Sequence, residues 1–247
     1  MSEPIVVFSD VVKIYRRSHL GKIYETAALR DFSMEIFRGE IIGILGLNGA
    51  GKTTVMKLLT GLLYPTSGKI SVFGKSPLDM DAKSGIGFLP ELPYFYQYMT
   101  PVDALRYYAE LSGLPATEIK KKIDGVLKKT GISSRSDSKI SEFSKGMMQR
   151  LGIAQSVIHD PELLILDEPV SGLDPLAIHD IRELMSELNK EGKTIFLSSH
   201  SISELEKVSD RVIVLNRGRM VKAVKSEEWQ KASGGLEEIF VSIVKTQ

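Results

Sequence analysis

The sequence predicts an α/β fold with a mostly parallel sheet, and two observations carry that expectation. Short apolar runs recur between turn residues at positions 5–8, 41–45, 163–166, 194–197 and 212–215. Runs this short, with no polar alternation, suit strands covered on both faces. Segments of helical period lie between them, which is the alternation expected of helices packed on a parallel sheet.

The elements follow in order. The run 5–8 opens the chain, and the run 41–45 leads into an expected helix over 53–62. Thr100-Pro101 starts another helix, with Val102, Leu105, Ala109 and Leu111 facing inward and Gly113-Leu114-Pro115 ending it. Ile119, Ile123, Val126 and Leu127 mark the next, which stops near Gly131. Its lysines, 120–122 and 128–129, read as a solvated face. A third helix begins behind Ser144 and carries Leu151, Ala154, Val157 and Ile158. These three form an all-helical insertion. The α/β pattern then resumes with the run 163–166, a helix over 176–191 closed by Gly192, the run 194–197, a helix over 201–208 and the run 212–215. One domain over 1–247 is expected, with an α/β core from 1–90 and 161–247 and the helical insertion at 91–160.

Composition narrows the function. The 247 residues are 43% hydrophobic and 26% charged, with a formal net charge of +1 and no cysteine. The near-neutral balance argues against a dedicated nucleic-acid binder. Without cysteine there is no disulfide framework and no thiolate zinc site. The start MSEPIVVFSD lacks the basic and long apolar regions of a signal peptide, and no apolar run approaches the roughly 18 residues of a membrane span. A soluble protein is expected.

The chemistry begins at Gly46-Leu47-Asn48-Gly49-Ala50-Gly51-Lys52-Thr53, which matches G-x-x-x-x-G-K-[ST] between an apolar strand and a helix. Glycines let such a loop turn its N–H groups onto phosphate oxygens, and the helix dipole adds to the attraction. Lys52 can reach the β- and γ-phosphates, and the Thr53 hydroxyl can ligate Mg²⁺. A phosphate loop needs a second, acidic element. The buried run 163–166 supplies it by delivering Asp167 and Glu168 at its end, one for Mg²⁺ and one to polarise an attacking water.

Residues 143–150, FSKGMMQR, open a helix in an unusual way. Ser144 is a good N-cap, yet Met147 stands where a capping box would place Glu or Gln. Lys145 and Arg150 stand where a helix N-terminus normally prefers acids, and Gly146 bares the backbone. The turn is suited to an anion that its own sequence does not provide.

Taken in order, the motif 46–53, the turn 143–147, Asp167-Glu168-Pro169, Ser171-Gly172-Leu173-Asp174 and Leu197-Ser198-Ser199-His200 resemble the nucleotide-binding subunit of ABC transporters. The resemblance covers essentially the whole chain. The FSKGM form, with GFLPE upstream, is most similar to ATP-binding subunits paired with ABC-2-type export permeases. The resemblance implies a P-loop NTPase core, an N-terminal antiparallel β portion and an inserted all-helical subdomain.

It also implies ATP hydrolysis by a head-to-tail dimer, homo- or heteromeric, that drives a separate transmembrane permease from the cytoplasmic face of the membrane. Nucleotide would be held by Asn48, Gly49, Ala50, Gly51, Lys52, Thr53 and Thr54. Ser144 and Gly146 of the other subunit would meet its γ-phosphate, and Asp174 would sit in the loop that communicates between the two sites. Glu168 would act as base, with His200 and Lys52 on the γ-phosphate and Asp167 and Thr53 on Mg²⁺. His19, His159 and His179 gain no such role. Tyr15 takes the adenine-stacking place, with Tyr24 as a competitor across a long loop, 16–27. The family usually has Gln where this chain has Glu91, which would serve as a sensor near Mg²⁺. The aromatic stretch 92–96 either faces the permease or packs inside the domain. The ending 236–240 resembles that of export-type subunits, without an added regulatory domain. The alternative reading is a soluble ABC ATPase acting on nucleic acid or ribosomes. Such proteins usually carry tandem domains, coiled-coil insertions or basic arms, none of which this chain displays.

Overall fold

A computed structural model describes residues 3–19 and 22–245 and divides them into two units. One unit runs from the N-terminal segment to Lys83 and resumes at Thr194; the other is Ser84–Lys193.

The first unit opens with two long strands, β1 (Pro4–His19) and β2 (Lys22–Phe37), paired antiparallel. In their inner halves Val6, Phe8, Val11, Leu29, Phe32, Met34 and Ile36 are buried. Phe8 meets Phe32 edge to face at 5.6 Å, a geometry that contributes about 0.5–1.5 kcal/mol beyond burial alone. Their outer halves are solvated on both faces. The segment expected as a loop, 16–27, is therefore a β-ribbon, with Tyr15 opposite Thr26 and Arg17 opposite Tyr24. It has no apolar alternation because neither face meets a core, so periodicity could not reveal it. Leu20, Gly21 and the side chain of His19 lie outside the described residues, as do Met1 and Ser2 of the start read for a signal peptide.

β3 (Ile41–Leu45) is buried at every position, as its unbroken apolar run requires. It feeds α1 (Lys52–Leu59), which is shorter than the expected 53–62. Gly61 turns to φ +69, and the N–H groups of Leu62 and Leu63 both return to the Lys57 carbonyl, closing the helix with a C-terminal cap. β4 (Ser67–Val72) pairs antiparallel with β1, and the short α2 (Met80–Ser84) follows.

In the second unit β5 (Ile86–Leu89) runs parallel to the later β6 (Leu163–Leu166). Between them come α3 (Pro101–Leu111), α4 (Ala116–Lys129) and α5 (Lys145–Val157). Thr100 caps α3 with a reciprocal bond to Asp103, a feature generally worth about 1 kcal/mol. α4 buries Ile119, Ile123, Val126 and Leu127 and turns its lysines outward, where Lys129 pairs with Glu191 and Lys122 lies 3.8 Å from Asp160. α6 (Pro175–Lys190) buries Ile181, Leu184, Met185 and Leu188. Arg150 of α5 ties these helices together. It donates to the Thr130 carbonyl at 3.0 Å and to Asp180 at 2.5 Å.

The chain returns to the first unit at β7 (Thr194–Ser198), which lies parallel to β3, followed by α7 (Ile202–Val208). β8 (Arg211–Asn216) flanks β3 on the other side, again in parallel, and β9 (Arg219–Lys225) pairs antiparallel with β8. α8 (Ser226–Trp229) and α9 (Gly235–Lys245) end the described chain, with Trp229, Leu236 and Phe240 buried. The architecture is α/β with parallel and antiparallel strands. No helix among the described residues is long and apolar enough to cross a membrane.

Candidate functional site

In the first unit the site is built where parallel strands β3 and β7 end. Gly46 follows β3 so tightly packed that a Cβ would stand 2.4 Å from the Leu215 carbonyl. Gly49 (φ +80) and Gly51 (φ +116) take conformations that other residues rarely adopt. Gly51 starts α1 with no side-chain cap, and no acid occupies the first turn. Free N–H groups, the helix dipole and Lys52 therefore converge on one cradle suited to phosphate. Within it the Lys52 ammonium donates to the Gly46 carbonyl at 2.7 Å. The cradle has a fixed back: the Ala50 carbonyl accepts from Gly218 N–H at 2.9 Å, and the Ala28 carbonyl closes on Gly51.

Tyr15 reaches this loop from β1, its hydroxyl 3.4 Å from the Thr54 hydroxyl. The Lys13 ammonium stands over the ring at 5.3 Å from its centroid and donates to the Tyr64 carbonyl. Tyr24 is exposed and two residues further out along the ribbon. His200 is exposed beyond the end of β7, whose Ser198 pairs with Ile44. The phosphate loop and His200 thus leave the same end of adjacent strands. Lys13 and the Arg217-Gly218 turn carry no motif. Only the Gly in the turn between two apolar strands, a common hairpin signal, marks the second of them.

In the second unit β6 is buried throughout and delivers Asp167, only 7% exposed, whose N–H donates to the Leu89 carbonyl at 2.8 Å. Glu168 follows at φ +50, a left-handed conformation that costs a non-glycine residue of order 1 kcal/mol or more. Such strain concentrates at functional sites. Asp174 caps α6, its carboxylate accepting from Leu176 and Ala177 N–H at 3.1 and 3.0 Å. Ser144 caps α5, accepting from Met147 N–H at 3.3 Å, and the first turn holds no acid. Gly146 lies against α6, where an added Cβ would be 3.6 Å from that of Ala177.

Glu91 is exposed two residues past β5. The aromatic stretch behind it divides: Phe95 is 5% exposed and packs on Tyr108, whereas Leu92, Tyr94, Tyr96 and Tyr98 face outward at 51–77% exposure. His159 is held by the Ile86 carbonyl at 3.0 Å, and burial pushes its pKa down. His179 lies on the surface of α6, 3.7 Å from Asp180. The hydroxyl of Thr53 and the buried carboxylate of Asp167 are hard oxygen donors of the kind Mg²⁺ takes.

Comparison with known proteins agrees with this chemistry. Residues 29–171 match the family described as ABC transporter. An uncharacterized ABC transporter ATP-binding protein of Nostoc sp. is 40% identical over 96% of this chain and 68% of its own length. The bacitracin transport ATP-binding protein BcrA of Enterococcus faecalis is 38% identical over 93% of this chain and 75% of its own. A solved ATP-binding subunit of an ABC transporter superposes with a TM-score of 0.83 at 30% identity, covering 97% of this chain and 99% of that one.

Proposed function

The chain belongs to the ABC transporter family as an ATP-binding, ATP-hydrolysing subunit, and on that premise we propose that it closes head to tail with a second such subunit on two ATP molecules and drives export through a separate membrane permease. The observation that carries the proposal is a pair of acid-free helix starts. The turn at Gly51-Lys52 is one, and the turn at Ser144-Lys145-Gly146 is the other. Each is half of a phosphate site. A sandwich between two subunits joins the first turn of one chain to the second turn of its partner.

In this reading Asn48, Gly49, Ala50, Gly51, Lys52, Thr53 and Thr54 wrap the phosphates, and Tyr15 stacks on adenine. Ser144 and Gly146 receive the γ-phosphate of the partner's ATP, and Asp174 lies in the loop between the sites. Thr53, Asp167 and Glu91 would hold Mg²⁺, which supplies charge neutralisation at the phosphate oxygens. Glu168 takes a proton from the attacking water while His200 and Lys52 hold the γ-phosphate. The exposed Leu92, Tyr94, Tyr96 and Tyr98 suit contact with a permease, which would keep the subunit on the cytoplasmic face of the membrane. The relative named for bacitracin transport supports a transport role, and the FSKGM turn supports export.

Ser144→Arg tests the composite site. It places a large side chain on an exposed cap, so the single chain keeps its ATP affinity while ATP no longer induces dimers in sedimentation velocity. Unchanged dimerisation by the variant removes the proposal.

A further inference from the structure

Lys13 belongs to no motif, yet it is fastened against the one ring that reaches the phosphate loop. Side chains alternate faces along a strand, so Lys13 and Tyr15, two apart on β1, share a face. The Lys13 ammonium stands 5.3 Å from the centroid of the Tyr15 ring and donates to the Tyr64 carbonyl at 2.8 Å. Lys13 is half-buried and, among the described residues, pairs with no carboxylate. Its charge is therefore directed at the ring and at one carbonyl.

The support for this arrangement comes from the segment that follows α1. Residues 64–66 hold the edge of β1 on both sides of Lys13. Thr66 N–H donates to the Val12 carbonyl at 2.7 Å, and the Thr66 hydroxyl accepts from Ile14 N–H at 3.0 Å. The backbone on either side of Lys13 is thus tied to the same stretch that receives its ammonium. At the far end of the ring the Tyr15 hydroxyl lies 3.4 Å from that of Thr54, too long for a strong hydrogen bond. The ring is held chiefly through its face. A cation is attracted to the negative face of an aromatic ring, and one occupied face leaves the other for a base.

We propose that Lys13 is a positioning residue for nucleotide: fastened on the Tyr64 carbonyl, its ammonium holds the Tyr15 ring in the stacking orientation and reserves the opposite face for adenine. The proposal rests on the reading of Tyr15 as the adenine contact. Lys13 acts through Tyr15 and touches neither base nor phosphate.

The test is calorimetric titration, without Mg²⁺, of ATP and of inorganic tripolyphosphate into the wild type, Lys13→Met, Lys13→Arg, Tyr15→Ala and the double variant Lys13→Met/Tyr15→Ala. Methionine keeps most of the stem and removes the cation. The population of correctly oriented rings then falls, and ATP binding weakens about two- to fivefold, the size of a cation–π contact at an exposed site. Lys13→Arg retains the affinity, because a guanidinium also binds ring faces and can donate to a carbonyl. Tripolyphosphate has no base, so Lys13→Met binds it as the wild type does, which also shows that the phosphate loop is folded. On the Tyr15→Ala background Lys13→Met costs nothing further. An equal loss for tripolyphosphate would mean that Lys13 attracts phosphate directly, and an equal loss without the ring would mean that it acts apart from Tyr15. Either result, or unchanged ATP affinity in Lys13→Met, overturns the proposal and leaves the stacking reading standing. If Tyr15→Ala alone binds ATP as the wild type does, the stacking reading fails, and the proposal with it.

Discussion

Removing the ring of Tyr15 tests the proposed adenine contact and decides between two tyrosines that the sequence alone leaves in competition. Tyr15 lies beside the phosphate loop, its hydroxyl 3.4 Å from that of Thr54. Tyr24 is paired with Arg17, one repeat further along the ribbon. Two residues of strand span about 6.7 Å, so Tyr24 stands one repeat further from the glycine loop than Tyr15 does. With Lys13 over one face and the ring 36% exposed, Tyr15 can offer its other face to a base. Base–aromatic stacking is worth about 1–3 kcal/mol per base. At about 1.4 kcal/mol per factor of ten, Tyr15→Ala weakens ATP binding roughly fivefold to 150-fold. The hydroxyl bond is long and only part-buried, so Tyr15→Phe costs less than about threefold. Tyr24→Ala leaves the affinity unchanged. Calorimetric titration of ATP into the chain without Mg²⁺ reads all three. A Tyr24→Ala loss as large as that of Tyr15→Ala, or a full loss in Tyr15→Phe, defeats the stacking argument.

Two further outcomes follow from the second unit. Glu168→Gln preserves shape at the φ +50 position and removes only the carboxylate proposed as the base. Steady-state hydrolysis therefore falls by about 10²–10⁴-fold, while ATP still promotes dimers; hydrolysis at the wild-type rate shows that Glu168 is not the base. Burial lowers the His159 pKa below its ordinary value of 6.5. The unfolded chain then binds this proton more readily than the folded one, so stability is full above about pH 6.5 and declines as pH falls below it. Thermal midpoints between pH 7.5 and 5.5 should drop less for His159→Gln than for the wild type; parallel profiles exclude the histidine as the cause.

The phosphate loop, the strand that ends in Asp167-Glu168 and the acid-free turn at Ser144 were legible in the sequence because each is contiguous. A glycine pattern, four buried apolar residues or a missing acid reports its chemistry through neighbouring backbone alone. The aromatic stretch after Glu91 was only half legible. Period cannot tell an inward Phe95 from an outward Tyr94 or Tyr96 in an irregular segment, because no repeating geometry alternates their faces. The helix after Lys52 was legible in kind but ends three residues before its expected stop, because the left-handed turn at Gly61 closes it early.

What depends on distant partners was not legible at all. The ribbon of β1 and β2 is held by cross-strand bonds, and its solvated outer half leaves no hydrophobic signature. Its register is what sets Tyr15 beside Thr54 and Tyr24 beyond it. The close fit of α5 on the end of β5 likewise exists because Gly152, 61 residues after Glu91 in the chain, lets the helix lie directly on Leu89 and Pro93. Short-range backbone chemistry is written locally, so it survives in a one-dimensional string. Register and close packing are relations between segments, and they come into being only when those segments meet.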